Sequence, residues 1–169
     1  PLSALLPDPA WKWLAAAGAQ LHAGRRAATL HRAAERWQLD GEAFDAVVLA
    51  CSSTEAARLA APSAPGWAAQ AAALRHEPIV TAWLHDARLQ RPDAMLALPP
   101  GPVAPAQFAF NLGLVHTSAA SHGTWAFVAS GAAPWLQDGL AACGRAMLAQ
   151  ARQAFPGAFT GDDSRVLQH

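Results

Sequence analysis

The chain has 169 residues, enough for one domain, or for one domain with part of a second, and for a real hydrophobic core. The 12 basic and 12 acidic side chains cancel, which indicates neither a nucleic-acid partner nor an acidic solvating tail. Although 53% of the residues are hydrophobic, 44 residues are alanines, and no strongly apolar run is long enough to cross a membrane.

A helix and a small antiparallel sheet are expected first along the chain. Pro9 can open a helix, and Gly18 can end it as a C-cap. Weak alternation over residues 19–44 predicts two or three short antiparallel strands. The dipeptide Asp40-Gly41 is a strong hairpin-turn signal within that stretch.

Residues 44–50 form a continuous apolar run rather than an alternating one. This pattern is typical of a strand that is buried on both faces of a parallel sheet. Small polar residues follow the run, and Ser52 or Ser53 can cap the next helix.

The remainder of the chain combines helices with mostly antiparallel strands. The predicted helices are Trp67–Arg75 and Trp135–Ala154, and the predicted strands are Ile79–Leu84, Met95–Leu98, Phe108–Val115, Thr124–Ala129 and a last one after Gly157. Helices and strands thus mix in a way that predicts an α+β (mixed α/β) fold with flanking helices and a mainly antiparallel sheet.

Motifs that carry chemistry are sparse in this sequence. None of the seven histidines pairs at metal-ligand spacing on a helix, so no metal site is predicted. Cys51 and Ser52 stand at a predicted strand-to-helix turn, but the glycines of a nucleophile elbow are missing. We therefore interpret that turn as a helix cap, and Cys51 and Cys143 as small buried side chains. Catalytic residues stay unassigned.

Several segments resemble flavin-dependent amine oxidases and carotenoid desaturases. Residues 18–30 and the hairpin after them resemble the R-V-x-x-I/L strand and hairpin of that superfamily, and Phe44–Ser52 resembles its F/A-D-x-V-V-L-A-x-P segment. Downstream, Ala73–Leu84 is similar to L-x-Y-E-P-I-x-T-V-Y-L, a version that is typical of the squalene-associated branch, the hydroxysqualene dehydroxylases. Pro92–Pro99 also fits that branch.

The resemblance implies two partial domains. Residues 1–60 would be a piece of an FAD-binding domain, and residues 61–169 would belong to the substrate-binding domain. The dinucleotide fingerprint of the family is expected before Pro1, and its second flavin-contacting motif after His169. The chain is therefore expected to be an internal piece that binds no flavin and is inactive by itself.

The resemblance also implies four cofactor-binding residues. Ala27 matches a valine whose backbone approaches the adenine of FAD. Ala50, Cys51 and Ser52 match the turn beside the cofactor phosphates, where the family has a residue followed by proline. Alanine in place of valine, and Cys51-Ser52 in place of the proline turn, are departures that leave the backbone contacts possible.

By the same resemblance, the whole enzyme would transfer hydride between FAD and an isoprenoid, such as hydroxysqualene or a carotenoid precursor. It would act in the cytoplasm, with peripheral membrane contact as an option and with no integral membrane segment. An apolar substrate would be held by a wall of strand residues. The predicted wall consists of Ile79, Trp83, Phe108, Phe110, Trp125 and Phe127.

Two alternatives stay open at this point. The chain could be a non-enzymatic α+β domain that binds an apolar ligand or a partner subunit, or a piece of an amine oxidase with a polar amine substrate. If a neighbouring part is missing, Ala56, Leu59 and the two faces of residues 44–50 are candidates for exposed apolar surface. Such surface would favour self-association.

Overall fold

The computed structural model describes residues 2–99, 101–115 and 121–160. The chain contains helices and two antiparallel sheets, which confirms the predicted α+β class. Two compact units are present, Pro1–Arg75 and His76–His169.

Helix α1, Pro7–Ala16, has no buried residue. Its C-terminus is a Schellman motif, in which Gly18 has a φ angle of 84° and donates its N–H to the Ala15 carbonyl oxygen at 3.1 Å. The Ala19 N–H closes the motif on the Leu14 carbonyl oxygen at 3.0 Å. Gly18 is therefore the terminator that the sequence predicts.

Three short strands follow as two consecutive hairpins: β1 (Leu30–Ala33), β2 (Arg36–Leu39) and β3 (Glu42–Phe44). Strand β2 is central and pairs antiparallel with both neighbours. Asp40 and Gly41 join β2 to β3 with φ angles of 52° and 88°. Two positive φ angles are what a type I′ hairpin turn requires, so the predicted turn is confirmed.

The predicted buried strand over residues 44–50 is wrong in its larger part. Strand β3 ends at Phe44, and residues 45–50 have no regular secondary structure. Val48 is 87% exposed. The run has the composition of a covered strand, but β3 lies at the edge of its sheet, and no described strand pairs with residues 45–50.

Helices α2 (Ser53–Ala60) and α3 (Pro65–Ala72) pack against each other, which keeps α3 in the first unit. The expectation that Ala56 and Leu59 are exposed is wrong, since both are buried. Helix α2 contacts β1 as well as α3, so its apolar side is covered within this unit. The small core of the helix pair consists of Ala57, Ala68 and Ala71.

The second unit is built on a four-stranded antiparallel sheet with the order β4-β7-β6-β5. Its strands are β4 (Ile79–His85), β5 (Met95–Ala97), β6 (Phe108–Asn111) and β7 (Thr124–Ser130). Every neighbouring pair is antiparallel, as the sequence predicts for this region.

Helix α5, Leu140–Ala154, covers the core of this unit. Its buried residues Cys143 and Met147 share one cluster with Trp125 and Phe127 of the sheet. Burial of each such large side chain contributes about 1.5–3 kcal/mol to folding. The predicted helix Trp135–Ala154 is, however, interrupted by Gly139, whose φ angle of 85° favours glycine. The residues before the interruption form a 3₁₀ turn, Ala133–Leu136.

The predicted strand Phe108–Val115 is also shorter than expected. It ends at Asn111, whose side-chain Oδ1 accepts the Gly113 N–H at 3.1 Å and turns the chain into the one-turn helix α4, Leu112–Val115. The last strand, predicted after Gly157, falls mainly on residues 161–169, outside the described residues.

Candidate functional site

Two side chains of helix α2 hold the backbone segment before β1. Arg58 donates from Nη2 to the Ala27 carbonyl oxygen at 2.6 Å and from Nη1 to the Ala28 carbonyl oxygen at 2.7 Å. The Glu55 carboxylate accepts from Arg58 Nε at 3.1 Å and from Arg26 Nε at 3.2 Å. We call Glu55 and Arg58 the α2 clamp, because together they tie this segment to the first turns of α2.

Glu55 also takes part in the start of α2. The Ser52 hydroxyl accepts the Glu55 N–H at 3.4 Å, so Ser52 is the cap that the sequence predicts. In a full capping box the glutamate would reach back to the cap N–H, whereas here it pairs with Arg26 and Arg58. Hydrogen bonds from Arg26, and next from Arg58, lower the pKa of Glu55.

Asp40 binds the same backbone segment through its N–H groups. Its Oδ1 accepts from the Ala28 N–H at 2.9 Å and from the Thr29 N–H at 2.8 Å. These bonds, that from Thr29 first, lower the pKa of Asp40. The segment is thus fixed mainly by side chains of the β2–β3 turn and of α2, with one backbone bond from the Asp40 N–H to the Thr29 carbonyl oxygen at 3.0 Å.

A cavity of about 220 Å³ lies beside Ala27. Arg25 forms ion pairs with two carboxylates that line this cavity, at 3.9 Å with Asp40 and at 3.5 Å with Glu42. Within the described part of the chain, the Ala27 N–H donates to no acceptor. The cavity is lined by His22, Arg25, Ala27, Leu39, Asp40, Glu42 and Phe44.

The other three residues of the predicted cofactor site lie at the entry to α2. Ser52 is the N-cap, and Ala50 and Cys51 are exposed in the connection before it. The prediction that Cys51 is buried is wrong, since it is an exposed free thiol. Ala50 and Cys51 are not among the residues that line the cavity. Through the α2 clamp, the structure nevertheless ties Ala27 to the helix that begins after Ser52.

Sequence reasoning missed Glu55, Arg58 and Asp40 as parts of this site. The spacing of Ser52 and Glu55, and the i,i+3 spacing of Glu55 and Arg58, could have indicated a charged pair at the start of α2. Nothing in the sequence indicates that Arg58 reaches Ala27, which is 31 residues away along the chain.

In the second unit, one face of the sheet packs into the core and the opposite face remains partly exposed. Cross-strand pairing places Trp83, Ala126, Phe110 and Met95 in one row across all four strands of the exposed face. A second row contains Thr81, Val128, Phe108 and Ala97. We call these two rows, with Ile79, the open face; apart from Thr81 its side chains are aromatic or aliphatic, and none of them is charged.

Of the six residues of the predicted apolar wall, four lie together on the open face, namely Ile79, Trp83, Phe108 and Phe110. The prediction is wrong for Trp125 and Phe127, which are fully buried on the core face against Phe155. The side chains of successive strand residues point to opposite faces of the sheet, so Trp125 lies on the face opposite to that of its neighbour Ala126.

Two kinds of feature are missing from residues 2–99, 101–115 and 121–160. No group of three or more His, Cys, Asp and Glu side chains there could hold a metal ion. No helix there combines the length and apolar character that a membrane span needs.

No protein-family model matches the sequence, and no curated protein matches it.

Proposed function

We propose that these residues work as part of an FAD-dependent oxidoreductase that acts on an isoprenoid, such as hydroxysqualene or a carotenoid precursor. The observation that carries this proposal is the cavity beside Ala27, the position that the motif resemblance assigns to the adenine of FAD. The 169 residues contain no G-x-G-x-x-G, so the pyrophosphate would be bound mainly by other residues of the natural polypeptide.

The cavity suits one neutral ring system. Its volume of about 220 Å³ is below the roughly 300–1,000 Å³ of pockets that enclose a whole ligand, so it would take only part of FAD. Leu39 and Phe44 offer apolar surface to a ring, and the Ala27 N–H would donate to a ring nitrogen. Asp40 and Glu42 together carry more negative charge than Arg25 carries positive charge, which disfavours a phosphate inside the cavity.

The start of α2 suits the phosphate side of the cofactor. The N-terminus of a helix carries a partial positive charge that favours anions, and α2 begins directly after Ser52. Glu55 would oppose this effect by its own charge, but Arg26 and Arg58 neutralise it. An adenine beside Ala27 and a phosphate near Ser52 would thus be served by elements that the α2 clamp connects.

The open face of the second unit would hold the apolar substrate. Trp83, Phe108 and Phe110 present aromatic surface there, and each square ångström buried would contribute about 25 cal/mol. The flavin, when bound, would supply the hydride chemistry, and the role of this chain would be to orient the substrate and exclude water. We place the enzyme in the cytoplasm, where it would meet its apolar substrate at the membrane surface.

A titration with FAD, followed by flavin fluorescence, tests this proposal. The natural polypeptide that carries these residues should bind FAD at micromolar concentration or below, whereas the 169 residues alone should not. Ala27→Trp, whose larger side chain would occupy the cavity beside position 27, should weaken FAD binding at least about tenfold, or by about 1.4 kcal/mol. Ala46→Trp places the same side chain at an exposed position of the same unit and should have no effect. Absence of FAD binding by the natural polypeptide would overturn the proposal.

A second candidate is a non-enzymatic domain that binds an apolar ligand or a partner subunit. It is favoured by the second unit, where a full aromatic core coexists with an uncharged open face. In that case, the natural polypeptide would bind a long-chain fluorescent lipid probe and Trp83→Lys would weaken this binding, but FAD would not bind.

A further inference from the structure

We propose that the α2 clamp sets the direction of the backbone at Ala27 for the adenine ring, so that Glu55 and Arg58 are positioning residues of the cofactor site. This inference rests on the proposed function. The motif resemblance assigns no role to either residue, and neither of them lines the cavity beside Ala27. They would therefore act through the backbone that they hold.

The need for positioning follows from the secondary structure. Strand β1 begins only at Leu30, so Ala27 lies outside any helix or strand and no ladder fixes its peptide groups. A methyl side chain provides little packing to hold it. The contacts that do hold it are those of Arg58 with the carbonyl oxygens of Ala27 and Ala28, at 2.6 and 2.7 Å, beside the bond from the Ala28 N–H to Asp40 Oδ1 at 2.9 Å.

Arginine is suited to this task by its shape. Its planar guanidinium presents several N–H groups in a fixed arrangement, so it can engage two consecutive carbonyl oxygens at once. Glu55 Oε2 accepts from Arg58 Nε at 3.1 Å and from Nη2 at 3.0 Å, which fixes the plane of the group. A lysine at position 58 would keep the charge but lose this arrangement.

The clamp also couples the two parts of the cofactor site. Glu55 N–H donates to the hydroxyl of Ser52, so the residue that orients Arg58 belongs to the cap on the phosphate side. Loss of the clamp should therefore weaken recognition of the adenosine diphosphate (ADP) half of FAD.

The experiment compares Arg58→Lys with a matched control, Arg36→Lys, in the natural polypeptide. Arg36 makes the same kinds of contact, a carboxylate pair with Asp45 at 3.0 Å and a bond to the Ala43 carbonyl oxygen at 3.3 Å. The dissociation constants of FAD and of ADP are measured for each variant, together with the melting temperature of the apoprotein. Glu55→Gln, which keeps an acceptor but removes the charge, provides a second test if Arg58→Lys folds poorly.

We expect Arg58→Lys to raise the dissociation constants of both FAD and ADP about tenfold, the effect of losing one charged hydrogen bond. The control should change them less than about twofold, and both variants should melt at similar temperatures. If the wild type binds FAD and Arg58→Lys binds it as tightly as the control does, the positioning role is overturned. If the wild type binds no FAD at all, the proposed function itself is overturned.

Discussion

Asp86 is a buried carboxylate that connects distant parts of the second unit. It follows β4 and is only 6% exposed. Its Oδ2 accepts the Phe159 N–H at 2.8 Å, and its two oxygens accept from Arg88 Nε and Nη2 at 3.0 Å each. One side chain thus fixes the chain after α5 to the end of β4, and Asp86→Asn should loosen both.

The expected cost of Asp86→Asn follows from these contacts. Asparagine preserves the size of the side chain but loses the charge and half of its acceptor capacity. A buried N–H of Phe159 without a full partner costs about 1–3 kcal/mol. The Arg88 side chain is 69% exposed, so its ion pair adds only about 0.2–1 kcal/mol. We expect a total loss of about 1–4 kcal/mol in the free energy of unfolding.

Urea denaturation of the 169-residue chain measures this loss. Asp93→Asn is the matched control, since Asp93 also pairs with an arginine two residues away, at 3.0 Å from Arg91, but is more exposed. The control should cost less than about 1 kcal/mol. If the two variants differ by less than about 0.5 kcal/mol, which is comparable to the effect of an ordinary surface change, the buried role of Asp86 is refuted.

The same residue predicts a pH dependence. The Arg88 side chain, followed by the N–H groups of Phe159 and Arg88, holds the pKa of Asp86 far below its usual value, although burial opposes this. Because the pKa of Asp86 is lower in the folded state, the ionised carboxylate stabilises the protein above the unfolded pKa near 4. This stabilisation is lost as the pH falls. The advantage of the wild type over Asp86→Asn should be constant above about pH 5 and decrease below it. An advantage that grows on acidification would contradict this cause.

Two further predictions concern packing in the second unit. Gly123→Ala should be strongly destabilising, because an added Cβ would lie 2.7 Å from a backbone atom at a φ angle of 73°, whereas Gly131→Ala, with open space at 62°, should cost far less. Phe127→Ala should lower the free energy of unfolding by about 3–5 kcal/mol, whereas Phe108→Ala, on the open face, should cost less than half of that. Thermal or urea unfolding checks both pairs, and equal losses within either pair would contradict the burial on which it depends.

Local sequence signals predicted the features that depend on few neighbouring residues. The hairpin turn at Asp40-Gly41 and the helix end at Gly18 both follow from positive φ angles that favour glycine or aspartate. The Ser52 cap follows from a hydroxyl placed before a helical stretch. These features are set within a few residues, so one sequence contains the information.

Features that depend on distant neighbours were predicted less well. The apolar run over residues 44–50 shows a preference for a covered strand but cannot say which strands pair with it. The sequence alone predicts the wrong face for Trp125, because the face of a strand residue depends on register, and the pairing of Trp83 with Ala126 is visible only in the sheet.

The candidate site divides in the same way. Motif resemblance indicated Ala27 and Ser52 as positions of interest, and these lie at the two parts that the α2 clamp connects. The clamp itself depends on Arg58 contacting a segment far earlier in the chain, a contact that no local pattern specifies.

Amide hydrogen exchange at Ala27 in the natural polypeptide, with and without FAD, tests the central claim most directly. The Ala27 N–H donates to no acceptor within the described residues, so it should exchange quickly without cofactor. Saturating FAD should slow its exchange at least about tenfold, while an exposed amide such as that of Ala46 should be unaffected. Unchanged exchange at Ala27 in a polypeptide that has bound FAD would contradict the assignment of the adenine to this cavity.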